Sequence, residues 1–479
     1  MSEKDMKRII IEPVTRVEGH GKVSIILDKQ NKVKQARLHI VEFRGFERFI
    51  QGRPYWEVPV LVQRLCGICP VSHHLAAAKA MDRIVGGENL TPTAEKMRRL
   101  CHYGQTFQSH VLHFFHLVSP DLLFGFDADP KIRNIIGVIK KYPDLAVQGV
   151  MMRKFGQEII KATAGKKIHG TGSIPGGVNK NLSIEERDVL LKDIDQMIAW
   201  ANGAVKIAKE YTLEHMKEIT DFGSFESSHM CLVREDGAMD LYDGNLRMID
   251  KDGNKIFDQV DVQKYAQYLV EEVKDWSYMK FPFVKSIGPE KGWYRVGPLS
   301  RINACDFIDT PQAEKERKEF MALTDGKPNN MTMAYHWTRM IEVLHAIEKI
   351  KELLHDKDLQ GTDLVVKGKR REETVAMIEA PRGTLIHHYR VNKNDQVEMA
   401  NLIVSTTHNN TAMNTAVTKV AEEYLSGVVI TEGLLNRVEV AIRAYDPCLS
   451  CATHALGQMP LVINLYDHND KLIDKKVKE

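Results

Sequence analysis

Two Cys-x-x-Cys pairs, Cys66/Cys69 and Cys448/Cys451, stand near opposite ends of this 479-residue chain and constrain its fold more than any other feature. Cysteines at i and i+3 bring two sulfurs within reach of one metal ion, and soft thiolates suit nickel, zinc, copper(I) or iron–sulfur clusters. If the two pairs meet, the whole chain must fold around the meeting point, which argues for one domain rather than several. Neither pair is a haem attachment site, because Pro70 and Ala452, not His, follow the second Cys of each. Zinc ribbons place their pairs about 12–20 residues apart, so this spacing fits them poorly. Spacing alone leaves structural zinc and a catalytic thiolate centre both open. The remaining cysteines, Cys101, Cys231 and Cys305, are isolated and read as small buried hydrophobes.

Charge excludes several partners. Lys plus Arg number 66 and Asp plus Glu 64, a net +2, which gives no reason to expect nucleic acid or an anionic membrane. No apolar run approaches the roughly 20 residues that span a bilayer. The N-terminus, MSEKDMKRIIIEP, has no hydrophobic signal region and no twin arginine, so a cytoplasmic location is expected.

The periodicities predict an α+β chain, predominantly helical, with a core of long helices and small peripheral sheets. Lys22–Asp28 and Val33–Ile40 alternate like strands around a polar tip at 29–32, a hairpin pattern. Val58, Leu61, Val62 and Leu65 repeat at helical spacing, and a helix is predicted from an N-cap at Ser72 to the Gly86-Gly87 stop. Long helices are predicted near 93–118, 183–218, 261–277 and 331–355, then strands in 374–404 and helices around 411–424 and 433–444. No internal repeat or linker is visible.

Longer strings carry a resemblance. Arg16-Val-Glu-Gly-His20, Phe43-Arg-Gly-Phe-Glu47, Arg64-Leu-Cys-Gly-Ile-Cys-Pro70, Glu379-Ala-Pro-Arg-Gly383 and Asp446-Pro-Cys-Leu-Ser-Cys-Ala-Thr-His454 resemble, in order, the signatures of nickel–iron hydrogenase large subunits. The stretches Gln108–Phe115 and Leu434–Glu439 are similar to the soluble, cytoplasmic, NAD-linked branch. The resemblance implies a centre of Ni and of Fe carrying CO and cyanide. Cys66 and Cys448 would be terminal nickel ligands, and Cys69 and Cys451 would bridge to iron. Pro381, Arg382 and the Thr406 hydroxyl would line the pocket of the iron's ligands. Arg382, partnered by Asp446, would hang over the open metal position, and Glu18 would gate protons at Cys448. His73 would hydrogen-bond the bridging sulfur of Cys69. Glu47, the backbone of Leu402 and His454 would hold Mg.

The chain also departs from the family's pattern. Ser109 stands where an Asp is common, and Ser405 and His408 replace a common Pro and Trp. His110, His113 and His116 form a stripe at helical spacing that reads as interior packing rather than a proton path.

By the resemblance, 1–454 is one catalytic domain and 455–479 an extension removed on maturation by a protease after nickel chaperones have loaded the centre. With four cysteines on the metals and no dinucleotide fingerprint, electrons must leave through an iron–sulfur small subunit, and then a flavin and iron–sulfur diaphorase serving NAD(P). The alternatives are a hydrogenase feeding ferredoxin, F420 or a heterodisulfide, or an H2 sensor. A non-catalytic relative and a zinc protein are weaker alternatives.

Overall fold

The computed structural model describes residues 7–454, 461–466 and 472–478. Eight helices set the framework: α1 Pro70–Ile84, α2 Pro92–Leu112, α3 Pro143–Ala164, α4 Ile194–Glu214, α5 Pro298–Ala304, α6 Tyr335–Leu354, α7 Asn410–Leu425 and α8 Glu432–Ala444. α2 lies between α3 and α6, and α6 also packs on α4. The approach of α2 and α3 depends on two glycines. A Cβ on Gly104 would meet Ile159 at 2.8 Å, and one on Gly156 would meet the Gln108 Cβ at 2.7 Å.

Small sheets surround these helices. β1 Lys7–Ile11, β2 Gly21–Leu27 and β3 Val33–Ile40 pair antiparallel, confirming the hairpin with its tip at 29–32. β4 Ser228–Val233, β5 Asn245–Ile249 and β6 Lys255–Val260 form a second sheet, joined in parallel by β7 Tyr294–Arg295. β8 Glu373–Ala380, β9 Gly383–Val391 and β10 Val397–Ile403 form a third. One apolar core runs from Ile11 to Ala452, and a smaller one fills the space between the second and third sheets. The helix-dominated α+β architecture agrees with the sequence reading.

Three local expectations need correction. The helix predicted over 261–277 is a 3-10 turn at Val262–Gln267 followed by a strand, Leu269–Glu272, paired with Phe281–Val284. Tyr265 and Leu269 are both buried in the smaller core, so a turn plus a strand satisfies a spacing of four as well as a helix does. Ser72 is not an N-cap. α1 starts at Pro70 with Cys69 as the cap, because proline at the first turn gives up an N–H that had no partner there. Helix α3 has no counterpart in the elements expected from periodicity. Its sequence is apolar on two faces, with Val147 58% and Val150 54% exposed opposite the buried Met152, Phe155 and Ile159, and this blurs the 3.6-residue period.

Among the described residues no helix is long and apolar enough to cross a membrane.

Candidate metal centre

The first Cys pair is built by its own neighbours. Val58, Val62 and Leu65 bury one side of two short helical turns, 58–61 and 62–65, and fix the entry to Cys66. The chain then turns at once into α1. The backbone N–H groups of Ile68 and Cys69 both donate to the Cys66 sulfur at 3.2 Å. Two amides aimed at one sulfur favour its thiolate.

The second pair follows α8 through Asp446, whose φ of 52° is left-handed, a conformation Asp tolerates better than most residues. Three contacts from distant chain hold it. Cys448 N–H donates to the Thr406 hydroxyl oxygen at 2.9 Å, Leu449 N–H donates to the Glu18 carbonyl at 3.0 Å, and Ser450 N–H donates to a Glu18 carboxylate oxygen at 3.1 Å.

These supports bring together sulfurs that are 382 positions apart in sequence. Cys66 and Cys448 are 3.2 Å apart, Cys448 and Cys451 2.9 Å, Cys69 and Cys451 3.7 Å, and Cys69 and Cys448 3.9 Å. All four atoms fall within 4.8 Å of one another, and all four residues are buried. Burial pushes the thiols of Cys448 and Cys451 far up. Burial also opposes the Cys66 thiolate, but hydrogen bonds from the other three cysteines and the charge of Arg382 outweigh it and bring that thiol well below its ordinary value. Four buried sulfurs at this spacing are a soft, multidentate donor set of the kind that takes a thiophilic transition metal.

Two side chains address this cluster. The Cys448 thiol donates to Glu18 Oε2 at 3.1 Å, and burial followed by the nearby Cys66 charge raises the Glu18 carboxyl above its usual range. Arg382 occupies the tight turn between β8 and β9. Its Nε donates to the Asp446 carbonyl at 2.6 Å, Nη2 to Asp446 Oδ1 at 3.0 Å and Nη1 to Ser109 Oγ at 3.3 Å. Burial opposes the guanidinium, but Asp446 and the cysteines hold it firmly charged. A small buried cavity beside Cys69 and Cys448 is lined by His73, Pro381, Arg382 and Thr406 among others. The hydrogen bond the structure gives His73 runs from Nδ1 to His387 Nε2, 3.2 Å, and His387 Nδ1 continues to Tyr389 Oη at 2.6 Å. Burial lowers His73 to about 4, so its ring is neutral.

Glu47 Oε1 accepts the Leu402 N–H at 2.8 Å, and Lys280 Nζ lies 3.5 Å from the second oxygen of Glu47 and 3.4 Å from Glu271. His454 is buried, lowered to about 3 by burial and then by Lys280, and neither ring nitrogen has a hydrogen-bond partner. A buried neutral imidazole with orphaned nitrogens has unused capacity to ligate a cation. Lys280, Glu271, His387 and Tyr389 are outside the sequence expectations. They come from elements with no shared motif, and no sequence signal marks them.

Of the histidine stripe, His110 and His113 are interior, as expected, and His116 is half-buried. His110 Nε2 pairs with Glu342 at 2.9 Å and His113 Nε2 with the Arg443 carbonyl at 2.7 Å. Cys101, Cys231 and Cys305 are buried, and burial pushes Cys101 and Cys305 up to about 11. Beyond His454 only the backbone of 461–466 and 472–478, an antiparallel hairpin, is described; residues 455–460, the start of the expected extension, lie outside the described residues.

Comparison with known proteins places this centre. A profile described as nickel-dependent hydrogenase matches residues 44–131 and 216–454, and one described as HoxL-like matches 8–43. The chain is 50% identical to the beta subunit of the NAD-reducing hydrogenase HoxS of Cupriavidus necator, over 98% of this chain and all of that one. It is 42% identical to a chain of the F420-non-reducing hydrogenase vhc of Methanococcus voltae, over 96% of this chain and 98% of the other. The crystal structure of an NAD+-reducing [NiFe]-hydrogenase in the H2-reduced state superposes with a TM-score of 0.92 at 56% identity, covering 94% of this chain and 99% of that one. The matched stretches contain both Cys pairs, Glu47 and Arg382, and the chain therefore belongs to the nickel-dependent hydrogenase family, as the catalytic chain of an enzyme that acts on H2.

Proposed function

We propose that the four sulfurs hold nickel and iron, with Cys66 and Cys448 on nickel alone and Cys69 and Cys451 shared with iron. The observation that carries this reading is the cluster of four buried sulfurs with Glu18 at 3.1 Å on one side and Arg382 on the other. Once bound, the metal pair supplies the heterolytic cleavage of H2. The protein's share is to move the proton and fix the charge. Cys448 and Glu18 are in hydrogen-bond contact, and burial raises the Glu18 carboxyl above its usual range, which suits it to take up and pass on a proton. Arg382 offers a cation that does not titrate, and Asp446 and Ser109 hold its fork in place. The cavity lined by Pro381, Arg382 and Thr406 would lodge CO and cyanide on the iron. Glu47, Leu402 and His454 would hold a magnesium ion.

Electrons leave through an iron–sulfur small subunit docked over the first Cys pair. Arg44 donates to the Leu65 carbonyl at 2.8 Å and His169 Nε2 lies 3.4 Å from the Cys66 carbonyl, while their neighbours Phe43 and Ile168 are 42% and 49% exposed. Apolar side chains exposed this close to a buried centre suit a protein interface. The likeness to NAD-reducing enzymes favours a flavin-bearing diaphorase and NAD(P) as the terminal acceptor of a cytoplasmic complex. Nickel chaperones would load the centre, and a protease would then cut after His454, leaving 1–454 as one catalytic domain.

Metal analysis of the active complex tests the centre. About one nickel per copy of this chain, with iron in excess because the clusters of the small subunit add to it, and infrared bands of CO and cyanide are expected; zinc in place of nickel, without such bands, in an active preparation would overturn the assignment. H2-dependent reduction of NAD+ by the intact complex, set against F420 and ferredoxin, tests the acceptor. The intact mass of this chain in active enzyme shows whether it ends at His454.

A further inference from the structure

Beneath the turn that carries Arg382 lies a fully buried charged cluster with no contact to the sulfurs. Arg301, on α5, spends every N–H of its guanidinium there. Nε donates to Glu342 Oε1 at 2.6 Å. Nη2 donates to Glu342 Oε2 at 2.6 Å and to the Pro381 carbonyl at 3.2 Å. Nη1 donates to Glu379 Oε2 at 2.7 Å and to the Ala380 carbonyl at 3.0 Å. A guanidinium has five such hydrogens, and five acceptors meet them. Arg301, Glu342 and Glu379 are each 0% exposed.

The position of this cluster gives it a purpose. β8 and β9 are joined by a two-residue turn, Pro381-Arg382, since Ala380 pairs with Gly383. Arg301 therefore grips the two carbonyls that immediately precede Arg382. Glu379 is tied in turn to the Thr384 hydroxyl at 2.6 Å and to Leu232 N–H at 2.9 Å, so both strands of the turn are held. Glu342 also takes His110, the residue after Ser109, and Ser109 is the third partner of the Arg382 fork. One network thus fixes the base of Arg382 and the helix that meets its tip.

Buried ion clusters are poor stabilisers, since desolvation offsets most of their attraction and apolar replacements often do as well. Their value lies in geometry. We propose that Arg301, braced by Glu342 and Glu379, is a positioning residue that sets the Arg382 turn at the metal centre. This rests on the catalytic reading of Arg382 above.

The test uses the intact hydrogenase complex with three variants: Arg301→Lys, Arg382→Lys and the two combined. An ammonium keeps the charge but lacks the planar fork. Arg301→Lys is expected to lower kcat about tenfold with KM for H2 unchanged, since small misplacements of a catalytic group are costly. Nickel and iron content should stay at the wild-type level. Hydrogen–deuterium exchange should rise in the peptide spanning 379–384 and nowhere else in the third sheet. Arg382→Lys should lose about 100-fold or more, and the combined variant should be no slower than Arg382→Lys alone. Losses that multiply, or a fully active Arg301→Lys enzyme, would overturn the positioning role. A fully active Arg382→Lys enzyme would instead overturn the reading of Arg382 on which it rests. If Arg301→Lys does not load metal, Glu342→Gln replaces it, with a loss of about threefold and the same exchange signature expected; normal turnover and exchange in that variant would refute the proposal.

Discussion

The two Cys pairs do the same job by opposite means. Cys66 and Cys69 sit between a 3-10 turn and α1, and the amides that address the Cys66 sulfur come from two and three residues away. Cys448 and Cys451 sit in a short irregular stretch held by Glu18, 430 positions away, and by Thr406, 42 positions away. Asp121 adds to that support. It accepts from Arg16 at 2.6 Å and from Arg443, near the end of α8, at 2.9 Å. The first half of the site is therefore a local motif. The second exists only once the rest of the chain has folded around it, and Glu18, the proposed proton carrier, belongs to that second half.

The contrast can be broken at four points. Glu18→Gln keeps the shape but removes the titrating group next to Cys448. H2/D+ exchange should fall by about 10²–10⁴-fold with nickel still bound, and normal exchange would show that protons leave by another route. Asp121→Asn should cost about 1–3 kcal/mol of stability, because it removes one of the two carboxylates that face the buried Arg443 and leaves only Glu439 at 3.2 Å. Burial opposes the Asp121 carboxylate, but Arg443 and Arg16 outweigh it and hold its pKa below the ordinary 3.8. A depressed pKa adds stability that is present above about pH 4 and is lost as the pH falls through the lower folded value. Acid unfolding of the Asn variant, followed by circular dichroism, should lack that component; an identical acid limb would remove Asp121 from the argument.

Gly19 tests the seam between the ends of the chain. It has a φ of 84°, and a Cβ there would meet Ser450 N at 2.7 Å and Leu449 Cβ at 2.9 Å. Gly19→Ala should cost about 1–3 kcal/mol and lower the nickel content of the purified protein, since it pushes Glu18 away from the second pair. Gly67 is the control. It lies between the cysteines of the first pair, and a Cβ there meets nothing within 4 Å. Gly67→Ala should keep nickel content within about twofold of wild type. Equal losses in both glycine variants would erase the distinction between a locally built and a remotely built half.

Much of this was legible in the sequence. The four clustered sulfurs, Glu18, Arg382, Asp446, Glu47 and His454 all lie in short contiguous strings, where spacing and residue type point to the chemistry. The expected Arg382–Asp446 pair is present, and the contact of Arg382 with Ser109 is an addition from the structure. The alternating hairpin of β2 and β3 was equally readable. Helix α3 was not, because Val147, Val150 and Met151 put apolar residues on its exposed face among the charged ones. The 261–277 stretch misled because the smaller core accepts the same spacing from a turn and a strand.

By itself the sequence determined the identity of the donors: thiolates in pairs, a carboxylate and a guanidinium in fixed local frames, and helices with one apolar stripe. A local string can specify these because backbone geometry over three or four residues fixes which side chains share a face. Tertiary structure alone decided which remote groups support them. Thr406 under Cys448, His387 behind His73, Lys280 beside Glu47, and Arg301 beneath the Arg382 turn are each partnered across dozens to hundreds of residues. Such partners are selected by burial, where an unpaired polar group is costly, and burial is a property of the packed chain rather than of any segment of it.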